Sequence, residues 1–423
     1  MIKELELHNF KTFDDLHVEF RPFNVVIGAN ASGKSSLVEV FRFLRNISAY
    51  GFRDALSMQG GVGYVRNMAA PSQTETSIRV ISDTQALFAF MSAKELPMGV
   101  KVSRMDYNLR LEYAAAKPEA VSATDSVELT CEMVVLRHGE GSELEEDKPL
   151  GRGTIKYCIN DKGDLDCEDR FTPPLQVEKS KWMGFSFKPL YKITPNVLLL
   201  DHPHMVPLFS SFIDLLMDVS IHDTDPKRLK EAVAITGKSE LEEDGRNLRI
   251  VLREILANQD KKRTFLNLIR DLLPFVEDIE IEQLADKSLL LGVNETYAPN
   301  VKIPASLMSD GTINIAALVV AVYFNPRSLI IIEEPERNIH PSLIGRLVQL
   351  LKEQSSKKQI IVTTHSPEIV KHVDPEDLLL ISRNESGFSR IRRPADSEET
   401  RIFLKNEVGI EDLYVQDLLG AQS

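Results

Sequence analysis

A short segment near the start of the chain has the spacing of a phosphate-binding loop. Residues Gly28 to Ser35 read glycine, four residues, glycine, lysine, serine. Glycines let the backbone fold round a phosphate without Cβ clashes, so that successive N–H groups turn inward. Lys34 supplies positive charge to the β- and γ-phosphates of a nucleotide, and the Ser35 hydroxyl can bind Mg²⁺. The segment therefore predicts nucleotide binding, and a chance glycine-rich turn is the weaker alternative.

Two adjacent carboxylates end an apolar run near position 330. The run Ser328–Ile332 is followed directly by Glu333 and Glu334. A nucleotide-hydrolysing sheet presents such groups at the carboxyl ends of its strands. One carboxylate can hold Mg²⁺, and the other can polarise the attacking water. Strands often end in acids at the solvent boundary, but the company of a phosphate-binding loop favours the catalytic interpretation.

Two further positions are candidates for phosphate contacts. His365 follows the strand-like Gln359–Thr364, and an imidazole at a strand end can reach a γ-phosphate. Taken alone, His365 is better explained as a structural histidine. Ser309 and Gly311 stand before a helical pattern, and a turn at a helix N-terminus can bind an anion. Taken alone, an ordinary helix cap explains Ser309 better.

These residues need strands and helices that hold them in place. Phe23–Ile27 is a short apolar strand before the loop, and apolar residues at helical spacing follow from Ser35 to about Ile47. A second helix is predicted over Pro341–Gln354. Segments from about 75 to 200 resemble antiparallel hairpins, and from about 203 to 275 the period is helical. The sequence therefore predicts an α/β protein with a β-rich and then helical insertion.

Composition narrows the class of protein. The chain has 423 residues and a formal net charge of −13, which argues against a uniformly basic nucleic-acid binder. No apolar run reaches the roughly 18–20 residues that span a bilayer, and the N-terminus has no apolar signal core. Three cysteines without a C-x-x-C argue against a disulfide framework and a zinc ribbon. We therefore expect a cytoplasmic protein with no membrane partner.

The order of these motifs resembles the ABC-type ATPase heads of the SMC and RecF group. The nearest subgroup is the OLD-like branch of stand-alone "predicted ATPases", often found in bacterial phage-defence operons. Leu7–Phe13 is similar to that group's first strand and loop, and Gly409–Gly420 to its usual ending. The other similar segments are Gly28–Ser35 (Walker A), Met308–Thr312 (signature), Ile330–Glu336 (Walker B) and Asn338–Pro341 (D-loop). The resemblance covers roughly residues 1–75 and 275–423.

The resemblance implies a P-loop NTPase head made of two lobes, with ATP and Mg²⁺ as cofactors. The resemblance and the periodicity together divide the chain into an N-terminal lobe (1–75), a β-rich insertion (76–200), a helical insertion (201–275) and a C-terminal lobe (276–423). The implied nucleotide-binding residues are Gly28, Asn30, Gly33, Lys34, Ser35, Ser36 and Lys11. The implied metal ligands are Ser35, Glu333 and the Q-loop glutamine Gln59, with Gln73 as an alternative glutamine. Glu334 and His365 are the implied catalytic residues. Glu333 stands where the group usually has aspartate.

In that group ATP lies between two heads. The resemblance therefore implies that Ser309 and Gly311 of one subunit cap the γ-phosphate bound by Lys34 of another, in a homodimer or a higher homo-oligomer of dimers. We expect an ATP-hydrolysing switch or scaffold for a separate effector, a nuclease or toxin, in anti-phage defence. The segment after His365 is too short for the Toprim nuclease domain of full OLD enzymes. The alternative is a DNA-binding RecF- or SMC-like ATPase in DNA repair or maintenance.

Overall fold

The computed structural model describes the greater part of the chain in two compact units. The described residues are 1–69, 75–90, 97–114, 121–138, 144–160, 164–174, 197–201, 208, 210–231, 233–234, 236–397 and 414. Gln73 and, apart from Tyr414, the segment Gly409–Gly420 lie outside them. The first unit comprises Met1–Phe20, Glu39–Asp218 and Asn384–Arg390, and the second comprises Arg21–Val38, Val219–Arg383 and Ile391–Ser423. The division of the chain into four segments remains a prediction.

The strands and helices of the described residues have the following bounds. The strands are β1 (Ile2–Phe10), β2 (Phe13–Glu19), β3 (Phe23–Ile27), β4 (Thr76–Phe90), β5 (Met98–Tyr113), β6 (Val121–His138), β7 (Leu144–Ile159), β8 (Leu165–Thr172), β9 (Val219–His222), β10 (Val233–Ala234), β11 (Val276–Gln283), β12 (Ser288–Glu295), β13 (Ala298–Pro304), β14 (Leu329–Glu333), β15 (Gln359–Thr364), β16 (Leu378–Arg383) and β17 (Ser389–Arg392). The helices are α1 (Lys34–Tyr50), α2 (Phe52–Met58), α3 (Val62–Val65), α4 (Ser210–Met217), α5 (Pro226–Lys230), α6 (Leu248–Ala257), α7 (Gln259–Leu272), α8 (Asp310–Val319), α9 (Pro341–Gln354) and α10 (Pro367–Val370). A π-helical turn, Val320–Phe324, continues α8. Among the described residues, no helix combines the length and apolar character that a membrane crossing requires.

The first unit is built on a seven-stranded antiparallel sheet in the order β2-β1-β4-β5-β6-β7-β8. Alternate residues of β6, such as Val127, Leu129 and Met133, are fully buried, which gives the sheet one apolar face. The predicted antiparallel hairpins of the β-rich segment are therefore confirmed. Strand β1 pairs with β4, so that the first strands of the chain extend the same sheet.

The second unit holds a six-stranded sheet in the order β17-β16-β3-β15-β14-β9. Strands β16, β3, β15, β14 and β9 are parallel along this order, and a core of helices buries them. Parallel strands are covered on both faces, which is why Ile330–Ile332 can be an unbroken apolar run. A smaller antiparallel sheet of β10 to β13 belongs to the same unit.

The register brings three strand ends to one level of the sheet. Ile27 of β3 pairs with Thr364 of β15, and Thr363 pairs with Glu333 of β14. The residues that follow these strands therefore meet at one carboxyl edge. Strand β15 lies between β3 and β14, an arrangement that no local sequence pattern specifies.

Two short strands, β9 and β10, lie where the sequence predicted a helical period. Val219–His222 forms β9 and pairs in parallel with Leu329–Ile332 of β14. Within this short strand, the Ser220 hydroxyl and His222 Nε2 are both hydrogen-bonded to the Asn325 side chain. A four-residue strand with two polar positions has too little alternation to be recognised from sequence. The prediction of an all-helical stretch from about 203 to 275 is wrong at these two strands.

Candidate active site

The loop between β3 and α1 is shaped round the side chain of Lys34. Its Nζ donates hydrogen bonds to the carbonyls of Gly28 (2.7 Å) and Ala29 (2.8 Å). A Cβ on Gly28 would lie 2.2 Å from the carbonyl oxygen of Ile381, so that only glycine fits there. Burial lowers the pKa of Lys34, while Glu334, Glu336 and Glu333 oppose this change. The ammonium therefore lies beside a group of carboxylates and at the start of a long helix, which suits phosphate binding.

The predicted metal ligands Ser35 and Glu333 lie together in the second unit. Ser35 Oγ donates to Glu333 Oε2 at 3.3 Å, although the two residues are far apart in sequence. A hydroxyl beside a carboxylate is the hard-oxygen donor set that Mg²⁺ prefers. The residues present therefore fit a magnesium ion, including the glutamate that stands in place of the usual aspartate.

Both carboxylate oxygens of Glu334 have hydrogen-bond partners. Its Oε1 contacts His365 Nδ1 at 3.0 Å, and its Oε2 accepts from Arg337 Nη2 at 3.0 Å. Burial would raise the pKa of Glu334, but the Arg337 hydrogen bond and the His365 charge outweigh it, so the pKa lies below its usual value. Glu334 has φ +46°, a strained value for a residue with a side chain. Such strain is often found at functional sites.

A third carboxylate, Glu336, lies near the same edge of the sheet. Its Oε1 accepts a hydrogen bond from the Thr364 hydroxyl. Its Oε2 is buried and has no hydrogen-bond partner among the protein atoms. Burial raises the pKa of Glu336, against the hydrogen bond from Thr364. An unpaired buried carboxylate oxygen is costly, and it therefore marks this edge as suited to a cation or a proton.

The predicted signature residues begin helix α8. Ser309 is the N-cap residue, and its Oγ accepts from the Thr312 N–H at 3.0 Å. A Cβ on Gly311 would lie 2.4 Å from the carbonyl oxygen of Asn338, which explains the glycine. Ser309 is therefore an exposed helix cap, and the role of Ser309 and Gly311 in binding nucleotide stays a prediction.

Lys11 and Gln59 belong to the first unit, where both contact Glu39. Gln59 Nε2 donates to Glu39 Oε2 at 2.7 Å, and Lys11 Nζ lies 3.9 Å from the same oxygen. Gln59 is buried, and its Oε1 has no hydrogen-bond partner among the protein atoms. Their roles in binding nucleotide and metal stay predictions. Asn30, exposed in the loop, and Ser36, half-buried in the first turn of α1, are in the second unit, and their roles likewise stay predictions.

Sequence analysis missed two residues of this group, Arg337 and Asp223. Arg337 Nη1 donates to Asp223 Oδ1 at 3.0 Å while Nη2 donates to Glu334. Arg337 is three residues after Glu334, a spacing that could have pointed to the contact. Asp223 follows β9, and that strand could not be recognised.

Comparison with known families agrees with this arrangement. The family described as "AAA domain, putative AbiEii toxin, Type IV TA system" matches residues 235–371, and the family described as "AAA ATPase domain" matches residues 1–96. The first match contains Glu334 and His365, and the second contains the Lys34 loop.

Two individual proteins are also similar in sequence to this chain. The "Retron Ec83 probable ATPase" of Escherichia coli is 21% identical over 420 residues, covering 91% of this chain and 72% of that protein. The "DNA replication and repair protein RecF" of Pediococcus pentosaceus is 36% identical over 83 residues, covering 19% of this chain and 22% of RecF.

Two SMC head structures also align along most of the chain. An SMC head bound to the C-terminal winged-helix domain of ScpA has a TM-score of 0.45 at 15% identity, covering 92% of this chain and 96% of that one. The SMC head of Thermotoga maritima has a TM-score of 0.40 at 14% identity, covering 93% and 98% of the two chains.

The parallel sheet, the Lys34 loop and the carboxylates at one sheet edge define a P-loop nucleotide hydrolase. The chain is an ATPase, and its residues 1–96 and 235–371 match AAA-type ATPase families. The similarities to the retron ATPase and to RecF agree with the ATPase group expected from the sequence.

Proposed function

We propose that this ATPase binds Mg²⁺-ATP at the carboxyl edge of the second unit's sheet, dimerises round the nucleotide and switches a separate effector in anti-phage defence. The observation that carries the proposal is the pair of contacts Ser35–Glu333 and Glu334–His365 at adjacent strand ends. The Ser35–Glu333 pair suits the binding of a metal ion, and the Glu334–His365 pair suits the activation of an attacking water.

Binding and hydrolysis would be divided among these residues. Lys34 would neutralise the β- and γ-phosphates, and Ser35 with Glu333 would hold Mg²⁺. When bound, the ion supplies charge neutralisation on the phosphates. Glu334 would accept the proton of the attacking water, and His365 would orient that carboxylate while its own ring faces the γ-phosphate. General base catalysis of this kind contributes about 10²–10⁴ in rate.

The position of the signature residues in the chain supports dimerisation. Ser309 and Gly311 begin a separate helix whose N–H groups could bind a phosphate held by Lys34 of a second subunit. The nucleotide would then hold two heads together, and hydrolysis would release them. This role of α8 is supported by its exposed N-cap and by the likeness to the family in which heads act as pairs.

The defence role is supported by likeness to the retron-associated ATPase and to a family described with a toxin. An effector on a separate chain would couple to the ATP-dependent dimer. The similarity to RecF favours a second candidate, a DNA-binding ATPase of repair or maintenance.

The proposal is tested by the molar mass of Glu334→Gln, measured by light scattering with and without Mg²⁺-ATP. We expect ATP to be bound, turnover to fall at least about 100-fold, and the mass to rise to a dimer or a multiple of dimers. Lys34→Ala, which lacks the phosphate-binding ammonium, is the matched control and should not change mass. Bound ATP without a change from a monomeric mass would contradict the dimer.

The effect of double-stranded DNA on the ATPase rate distinguishes the two candidate roles. Under the effector hypothesis the ATPase rate is unchanged by DNA. Stimulation that declines steeply with salt would favour the DNA-binding alternative, because phosphate contacts depend on counterion release.

A further inference from the structure

Arg337 lies between two carboxylates that come from neighbouring strands. Its Nη2 donates to Glu334 Oε2, and its Nη1 donates to Asp223 Oδ1, both at 3.0 Å. Nη1 also reaches the Thr224 carbonyl at 3.4 Å. Glu334 follows β14 and Asp223 follows β9, and these two strands are paired. The guanidinium therefore joins the ends of two adjacent strands through two separate nitrogen atoms.

The backbone of Arg337 is held by helix α8. Asn314 Nδ2 donates to the Arg337 carbonyl at 2.9 Å, and Asn314 Oδ1 accepts from the Thr224 hydroxyl at 2.6 Å. Asn314 is completely buried, and its bond to Thr224 is buried with it. Gly311 lies against the carbonyl of Asn338, the next residue along. The helix that begins at the signature residues thus packs directly on the loop that carries Arg337.

We propose that Arg337 is a positioning residue that orients Glu334 for water activation, that Asp223 holds Arg337 in place, and that Asn314 links this pair to helix α8. The proposal rests on the proposed role of Glu334 as the base. A carboxylate bonded through one oxygen can still rotate about its last torsion, whereas bonds to both oxygens fix its plane. His365 holds Oε1 and Arg337 holds Oε2.

The contact between Arg337 and Asp223 acts on the geometry of the site rather than on the stability of the fold. The side chains of Arg337 and Asp223 are 39% and 47% exposed, and ion pairs this exposed contribute little to stability. A misplacement of about 1 Å in a catalytic group can nevertheless cost about 100-fold in rate. Arginine suits the position because its planar fork reaches two acceptors at once, whereas a lysine ammonium acts as a single point of charge.

The test compares kcat, KM and the ATP dissociation constant of Arg337→Met, Arg337→Lys and Asp223→Ala. We expect Arg337→Met to lower kcat at least tenfold while KM and the dissociation constant stay within twofold. Arg337→Lys should recover part of that loss. Asp223→Ala should lower kcat by a smaller factor, and the double variant should be no slower than Arg337→Met alone, since both act through one contact.

Arg346→Met is the matched control. Arg346 pairs with Asp271 on the surface of the same unit, and its removal takes away an arginine–carboxylate pair outside the site. It should leave kcat and the melting temperature unchanged. A melting temperature of Arg337→Met close to that of Arg346→Met shows that the variant is folded, and Asp223→Ala and Arg337→Lys test the same contact with smaller changes.

Three results would overturn the inference. They are an unchanged kcat in Arg337→Met, a KM that rises as much as kcat falls, and additive effects of the two substitutions. The proposed function fails separately, if Lys34→Ala hydrolyses ATP as fast as the unaltered protein or Glu334→Gln keeps full activity. If Glu334→Gln keeps full activity, the role of Arg337 falls with it. If both of those variants are inactive and Arg337→Met is fully active, only the role of Arg337 is refuted.

Discussion

The buried carboxylate of Asp125 in the first unit should make the local stability depend measurably on pH. The carboxylate is 6% exposed and accepts hydrogen bonds from the Leu199 N–H (2.8 Å), the Leu200 N–H (3.1 Å) and the Tyr107 hydroxyl (3.0 Å). Burial raises the pKa of Asp125 from 3.8 to about 7, against the opposing effect of these donors. Asp125 therefore ties the segment at Leu199 and Leu200 to the sheet through a group that titrates near neutral pH.

Proton binding decides the direction in which stability changes with pH. Because the folded pKa lies above the unfolded one, the folded state binds more protons between about pH 4 and pH 7. Its stability should therefore fall as pH rises through that window and level off above pH 7. A shift of roughly 3 units corresponds to about 4 kcal/mol, since each unit is about 1.4 kcal/mol. About 2 kcal/mol of this change should occur between pH 5 and pH 7.

Hydrogen exchange of the Leu199 and Leu200 amides, corrected for the intrinsic rate, measures this free energy of local opening. Asp125→Asn cannot titrate, so its opening free energy should not change with pH, and its difference from the unaltered protein should change by about 4 kcal/mol across the window. Asp106→Asn removes a carboxylate of the same sheet that pairs with Arg79, and it is the control. Equal pH slopes for Asp125→Asn and the unaltered protein would refute the reasoning.

The site predicts three further results. Glu333→Gln should weaken the magnesium dependence of ATPase activity, whereas Glu334→Gln should lower turnover at saturating magnesium; the opposite pattern in a magnesium titration means that the two roles are reversed. Mixing Lys34→Ala with Ser309→Arg subunits should change the ATPase rate non-additively, because each composite site needs both residues; a strictly additive rate speaks for isolated monomeric sites. Gly311→Ala should lower the melting temperature by several degrees, because its Cβ would lie 2.4 Å from a carbonyl oxygen; an unchanged melting temperature contradicts this contact.

Local patterns predicted the elements that carry the site. The helix Pro341–Gln354 and the strand Gln359–Thr364 have the bounds expected from sequence, because each combines a clear period with end signals. Ser35 and Glu333, two of the predicted metal ligands, lie within hydrogen-bond distance, and their roles as ligands stay predictions. Such predictions succeed because the chemistry of a phosphate loop depends on consecutive residues.

Other features could not be predicted because they depend on contacts between distant parts of the chain. Strand β9 has only four residues, and its place beside β14 is decided by parallel pairing rather than by its own sequence. The bridge of Arg337 to Asp223 depends on that placement. The antiparallel pairing of β1 with β4 likewise joins the start of the chain to the β-rich segment.

The sequence by itself determined the chemistry of the protein: a phosphate loop, paired carboxylates, a histidine after a strand and a serine–glycine helix start. These depend on residue type and short spacing, which the backbone translates directly into local geometry. Only the tertiary structure decided that β15 lies between β3 and β14, that Glu334 has both oxygens held, and that Asn314 ties helix α8 to the loop after Glu334. Strand order and contacts of this kind follow from burying one common core, to which residues far apart in the chain contribute together.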